Sequence, residues 1–358
     1  MKRRNTLIAF IFLTVIFILP SVTLGYRRFS AQEAPSSVKE TQTSETEESN
    51  IYIAFHKSMK DALTAFTDQL FFKKQLITLN MKTTTILSGG SYFESAQVLP
   101  GKEGWLFYKA DTEEEHPLRD YAGSNRYTEE ELAQIASNLK ETQDYFLNQW
   151  DVPLYIVSIP NKEILYNEYM PETVLRLHPQ SREGQLIDYM KGRPDISYFS
   201  LRDTFVNAKS DPVPLYYKTD THWNLFGAYV GLQEIFQQVY GNGIPADSSC
   251  FHLESEDHPG DLALLTGIPE QFPTDAYYVP NPGFADPAQY HDQTLLVIGD
   301  SFGEDLSEIA ESYYRQVHYV HFETFQAKDM ASYQPDLVIW ECVERYMDDL
   351  KDRRLMEQ

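Results

Sequence analysis

One run constrains the fold of this chain more than any other. Residues Thr294-Leu295-Leu296-Val297-Ile298 lead directly into Gly299-Asp300-Ser301-Phe302-Gly303, and a helical pattern begins near Glu304. A short continuous run of apolar and β-branched residues suits a strand buried on both faces, and a strand that turns at once into a helix is the βα unit of a parallel sheet. The same alternation recurs along the chain. Thr128-Glu129-Glu130-Glu131 has the capping-box pattern and opens a helix to about Gln149. A strand over 152–159 follows and stops at Pro160-Asn161-Lys162. The spacing then predicts a helix over 183–190, a strand over 196–201, helices over 225–240 and 304–314, and a strand over 337–340. The expected class is α/β, a three-layer arrangement with a mostly parallel sheet covered on both faces. Ahead of it, 97–108 reads as a hairpin, and apolar residues at helical spacing occupy 51–83 before a break at Gly89-Gly90.

The chain starts Met1-Lys2-Arg3-Arg4-Asn5 and continues into an apolar run from Leu7 to Leu24. Residues 1–25 are therefore expected to be a signal-anchor or signal peptide, with the basic residues on the cytoplasmic side. No Ala-x-Ala site follows the run, which favours an uncleaved membrane helix over secretion. Residues 26–50 have the Ser, Thr, Glu and Gln content of a solvated linker, so residues 51–358 are the folded domain and lie outside the cytoplasm. That domain carries a formal charge of −24, against −23 for the whole chain. Phosphate binding needs the opposite sign, so nucleic acid is excluded as a partner. Cys250 and Cys342 are the two cysteines, enough for one disulfide or two separate thiols and too few for a zinc ribbon. No carboxylate and histidine cluster has metal-ligand spacing and no Gly-x-Gly-x-x-Gly occurs, so neither metal nor cofactor is expected.

A strand-to-helix turn places Ser301 at the carboxyl edge of the sheet, beside helix N–H groups that favour a developing oxyanion. The plainer role for Asp300 or Ser301 is to cap the helix. A serine nucleophile needs a base with an orienting carboxylate. Of nine histidines, His222 alone has the right setting, in Tyr216-Tyr217-Lys218-Thr219-Asp220-Thr221-His222-Trp223-Asn224. In an extended segment residues i and i+2 point the same way, so Asp220 can reach His222 Nδ1 and leave Nε2 for Ser301. The alternative is a helix-entry pair with no nucleophile nearby.

Asp220-Thr221-His222-Trp223 ahead of Gly299-Asp300-Ser301-Phe302 resembles the SGNH-hydrolase-like polysaccharide O-acetyltransferases of the alginate type (AlgJ and AlgX) and the related DHHW proteins. Other pieces agree in order: 101–108, Ile159-Pro160-Asn161-Lys162, Gly260-Asp261-Leu262 and Val343-Glu344-Arg345-Tyr346. The resemblance covers about 51–350 and is nearest the single-domain, membrane-anchored AlgJ type. It implies an SGNH-like fold and acetyl transfer through an acyl-serine to a polysaccharide acceptor. A membrane-bound O-acyltransferase of the MBOAT type would be the acetyl-donor partner. Ser301 would be nucleophile, His222 base and then acid, and Asp220 the orienter. Asn161, Lys162, Trp223 and Arg345 are the further candidates for oxyanion or substrate contact: Asn161 as a second oxyanion donor, Trp223 as a ring stacked on a sugar. A polyanionic acceptor would be repelled by −24, so a neutral or amino-bearing glycan is expected. The alternatives are a carbohydrate acetylesterase of the same fold, or a non-catalytic glycan-binding assembly protein.

Overall fold

The structure, a computed structural model, describes residues 95–112 and 115–357 together with residues 79, 82 and 83. The chain divides into a unit ending at Lys73 and one beginning at Lys74, and the described residues belong to the second. The expected anchor (1–25), the linker (26–50), most of the helical pattern of 51–83 and the Gly89-Gly90 break lie outside the described residues. Among the described residues, no helix is long and apolar enough to cross a membrane.

An antiparallel pair, β1 (Val98–Pro100) and β2 (Leu106–Tyr108), comes first, matching the predicted hairpin. The central sheet contains β3 (Leu154–Ile159) and β4 (Tyr198–Ser200). A second antiparallel pair, β5 (Phe251–His258) and β6 (Asp275–Pro280), stands outside it. Strands β7 (His291–Gly299), β8 (Tyr314–His321) and β9 (Leu337–Val343) complete the central sheet. Its order is β4-β3-β9-β7-β8 and every pairing is parallel. The chain moves outward from β3 to β4 and, in the other direction, from β7 to β8, and β9 closes the gap last. The crevice at the carboxyl ends of β3, β9 and β7 is thus a topological switch point, where open α/β sheets bind ligands.

Among the described residues the helices are α1 (Pro117–Ala122), α2 (Glu129–Trp150), α3 (Lys162–Leu165), α4 (Arg182–Met190), α5 (Arg202–Ala208), α6 (Leu225–Tyr240), α7 (Asp261–Leu265), α8 (Phe302–Ala310), α9 (Met330–Tyr333) and α10 (Asp348–Asp352), with short 3-10 turns between them. Strand alternation explains why both faces are covered. Leu295 and Val297 of β7 pack on one side with Leu232 and Phe236 of α6, and Leu296 and Ile298 pack on the other with Ile135 and Leu139 of α2. Helix α2 starts where its sequence dictates, since Thr128 Oγ1 accepts from Glu131 N at 3.2 Å and Glu131 Oε2 accepts from Thr128 N at 2.9 Å. Thr128→Ala is expected to cost about 1 kcal/mol, read as a fall in the urea midpoint with unchanged slope.

Two features differ from the sequence expectation. The helix predicted to reach Tyr314 ends at Ala310, and Tyr314 instead opens β8, an edge strand partly open to water whose polar residues hide the strand period. The β5–β6 pair went unpredicted for the same reason: most of Phe251–His258 is exposed or half-exposed and carries charge at several positions. Cys250 and Cys342 are free thiols, half-buried and buried respectively, so the disulfide left open by the sequence is not formed.

Candidate active site

Ser301 follows β7 directly and precedes the first turn of α8. The capping question resolves between neighbours. Asp300, not Ser301, caps the helix: its Oδ1 accepts from Phe302 N at 2.9 Å, its carbonyl from Gly303 N at 3.0 Å, and its Oδ2 from Val343 N at 2.9 Å. That tie fastens the turn to the end of β9. Ser301 makes no side-chain cap bond, and its Oγ lies 2.7 Å from His222 Nε2.

His222 comes from the loop between α5 and α6, closed by a bridge between Tyr216 and Trp223. The Asp220 carboxylate reaches it as expected, but not through an extended segment. Residues 218–222 bend, and Asp220 Oδ1 accepts both His222 N at 3.0 Å and His222 Nδ1 at 2.7 Å. This is an Asx turn, in which an aspartate side chain bonds the backbone two residues on. Asp220 Oδ2 accepts from Asp261 N at 2.8 Å. Burial alone would raise the Asp220 carboxyl, yet the hydrogen bond and charge of His222 and the Asp261 N–H hold it at about 2. Burial would lower His222, and the hydrogen bond and charge of Asp220 outweigh it, so the imidazole is raised above its ordinary 6.5.

Asp261 was not singled out as a site residue from sequence, although Gly260-Asp261-Leu262 was noticed as a piece. Its carboxylate accepts from Thr221 N at 2.7 Å and Thr221 Oγ1 at 2.6 Å, so α7 braces the residue that joins Asp220 to His222. His258, one of the eight histidines without that setting, has Nε2 4.0 Å from Asp220 Oδ2, with its ring stacked on Tyr217 at 4.5 Å. Asp305, one turn into α8, is half-buried, and burial pushes its carboxyl up to about 7 although His222 works against the rise. Beyond the Gly260-Asp261-Leu262 piece, no pattern in the chain marks these residues, because each reaches the site from a different element. Ligand atoms of Asp220, His222 and Asp261 lie within 4.8 Å of one another, as a metal site would require. Their oxygens already accept from the backbone and side-chain donors just described, so a cation would have to displace those bonds.

The remaining sequence candidates divide. Lys162 is 3% exposed, and its ammonium donates to Lys218 O and Asp220 O, each at 2.8 Å. Burial lowers it to about 8, and Asp275 and Glu163 limit the fall. It holds the Asp220 loop from beneath and has no open side for substrate. Asn161 is equally enclosed: its Oδ1 accepts from Arg345 N at 3.0 Å, and its Nδ2 donates to Asp120 Oδ2 at 3.4 Å. The expected second oxyanion donor is thus turned into the protein, tying the end of β3 to the segment after β9. Trp223 is 0% exposed, behind Phe302, whose ring is 5.3 Å from its own and 5.1 Å from that of His222. Stacking on a sugar is therefore replaced by a core role under the histidine. Arg345 lies nearer the chemistry: its guanidinium is 5.2 Å from the Phe302 ring, its Nε has no hydrogen-bond partner among the described residues and stands 3.5 Å from Glu115 Oε1, and its charge opposes protonation of His222.

A serine hydroxyl, an imidazole and a carboxylate in hydrogen-bonded series at the carboxyl edge of a parallel sheet have the geometry of a serine-nucleophile triad, a constellation that recurs on unrelated folds, so the class is fixed by the family match. Over residues 98–344 the sequence matches the family described as SGNH hydrolase-like domain, acetyltransferase AlgX, and the chain belongs to that family. Among solved structures, it is similar to Bacillus cereus PatB1 (15% identity, TM-score 0.50, covering 73% of this chain and 99% of that one). It is also similar to the O-acetyltransferase domain of Pseudomonas putida AlgJ (20% identity, TM-score 0.48, covering 72% and 99%) and to a DHHW family protein from Eubacterium siraeum (15% identity, TM-score 0.48, covering 73% and 100%). A search of curated proteins found no match.

Proposed function

We propose that this domain transfers an acetyl group through Ser301 to hydroxyls of an extracellular or cell-envelope polysaccharide. The observation that carries the reading is the pair of 2.7 Å contacts that join Ser301 Oγ to His222 Nε2 and His222 Nδ1 to Asp220 Oδ1, in a chain whose family is an acetyltransferase family. Ser301 Oγ attacks the acetyl carbonyl while its proton passes to His222 Nε2. His222 then gives that proton to the leaving group as the acyl-serine forms. A sugar hydroxyl enters, loses its proton to His222 and attacks the acyl carbon, and the proton returns to Ser301 as the new ester leaves. The Ser301 N–H and the Arg345 guanidinium are the donors for the oxyanion in both halves, in place of Asn161.

The acceptor is a neutral or amino-bearing glycan, because a domain at −24 repels a polyanion. Residues 1–25 anchor the domain outside the cytoplasm, and a membrane-bound O-acyltransferase of the MBOAT type supplies acetyl groups. The test is to supply an activated acetyl ester with and without oligosaccharides. Slow hydrolysis, with acetylated oligomer detected by mass when neutral or amino-sugar oligomers are added, supports transfer. Fast hydrolysis with no acetylated product from any acceptor supports the esterase reading instead. Uronate oligomers should accept less well at low salt, with the gap narrowing as ions screen the field over about 10 Å at 0.1 M.

The base works only when neutral, so activity should fall as the pH drops through the His222 pKa. The acid limb of kcat/KM is expected to centre above the ordinary histidine value of 6.5, because Asp220 favours the imidazolium. In Asp220→Asn the limb should move to lower pH along with the loss of rate. A limb that stays in place in that variant would separate Asp220 from the titration.

A further inference from the structure

Glu341 breaks the pattern of the strand that carries it. Strand β9 reads Leu337-Val338-Ile339-Trp340-Glu341-Cys342-Val343 and is buried along its whole length, and Glu341 itself is 0% exposed. Among the described residues, neither carboxyl oxygen has a hydrogen-bond partner of good geometry. Leaving a buried polar group unmatched costs stability, and an apolar residue of similar size would avoid that cost. The sheet does not require it, since β9 is paired on both sides through backbone bonds.

Its surroundings show what the carboxyl touches. A Cβ built on Gly299 would lie 2.0 Å from Glu341 Oε1, and one on Gly303 would lie 3.1 Å from the same atom. Those glycines bracket Ser301, so the turn lacks side chains at the two positions that meet the carboxyl. The backbone N–H groups of Asp300 and Gly303 also face it. The titratable and charged groups around it are Asp300 in the turn, Tyr319 on β8 and Arg345 after β9. Burial first, and then the Asp300 charge, push the carboxyl well above its ordinary range.

We propose that Glu341 is a positioning residue for the nucleophile: its carboxyl is the floor on which the 299–303 turn rests, and it fixes where Ser301 Oγ stands relative to His222 Nε2. The inference rests on the reading of Ser301 as nucleophile. Glu341→Gln preserves shape and an acceptor oxygen without charge. Glu341→Met preserves shape alone and removes the unmatched polar group. The full chain is assayed for kcat and KM on an activated acetyl ester, for the rate at which a sulfonyl fluoride labels Ser301 by mass, and for Tm. Glu341→Gln should keep kcat within about threefold, and Glu341→Met should lower kcat and the labelling rate by about tenfold to a hundredfold at unchanged KM and equal or higher Tm, the size expected for a misplaced reacting atom. Wild-type kcat and labelling in a folded Glu341→Met would overturn the inference, as would an equal loss in Glu341→Gln. If Glu341→Met does not fold, Glu341→Leu takes its place under the same limits, and failure of both to fold makes the residue a fold requirement and overturns the inference. Absence of labelling at Ser301 in the wild type, with Ser301→Ala retaining activity, would overturn the nucleophile reading itself.

Discussion

Ser301→Ala is expected to lower turnover of an activated acetyl ester by about a thousandfold or more while leaving the thermal midpoint nearly unchanged. Ser301 is half-buried and its hydroxyl bonds, among the described residues, to His222, while the turn is held by Asp300 rather than by Ser301, so its removal opens no cavity and uncaps no helix. His222→Ala should fall to a similar level, because an unassisted hydroxyl is a weak nucleophile at neutral pH. The Ser301→Ala/His222→Ala double variant should be no slower than the worse single variant, since residues acting as one unit lose activity non-additively. Steady-state rates and melting curves on the three variants decide the matter. Near-normal turnover in Ser301→Ala would remove the proposed chemistry.

The largest stability effect is expected at Arg182. Its Nε donates to Asp120 Oδ1 at 2.6 Å and its Nη2 to Asp120 Oδ2 at 3.2 Å, with Asp348 as a second partner through Nη1. Arg182 and Asp120 are 2% and 0% exposed. Asn161 bonds the same aspartate and the backbone of Arg345, so this buried network supports the wall of the candidate site as well as the fold. Removing one member of a buried pair leaves an uncompensated charge, at a cost of about 3–5 kcal/mol. For a domain of this size each kcal/mol shifts the midpoint by roughly 2–4 °C, so Arg182→Ala should melt about 6–20 °C lower. Combining Arg182→Met with Asp120→Leu should recover part of that loss, because the two most buried charges go together; the Asn161 and Asn125 amides lose their acceptor and Asp348 keeps only Lys351, which limits the recovery. A single variant that melts within a degree or two of the native protein would show that water or rearrangement satisfies Asp120.

Local order was legible wherever burial imposes a period. The apolar run at 294–298 has to be a strand covered on both faces, and the observed strand extends it to His291–Gly299. The capping box at Thr128 set the start of α2, and the helix over 225–240 matches α6 residue for residue. Where an element faces water the signal weakens. Tyr314–His321 has too few buried positions to declare itself, and the β5–β6 pair is largely exposed. Ser301, His222 and Asp220 were legible because each stands in a short motif next to a recognisable element.

What those motifs could not carry was the surroundings of the site. Asn161 and Lys162 follow a strand at the right edge of the sheet, yet their polar atoms turn inward to Arg345, Asp120 and the 218–220 backbone. Trp223 adjoins the histidine in sequence and ends behind Phe302, fully buried. Asp261, His258, Asp305 and Glu341 reach the site from four different elements. The amino-acid sequence by itself determined the α/β class, the family and the three residues in hydrogen-bonded series, because hydrophobic period and short motifs are local properties of the chain. Tertiary structure alone decided which polar atoms are open to a substrate and which are occupied, since burial and hydrogen-bond partnership depend on contacts between residues far apart in the chain, as Ser301 and His222 are at a separation of 79 positions.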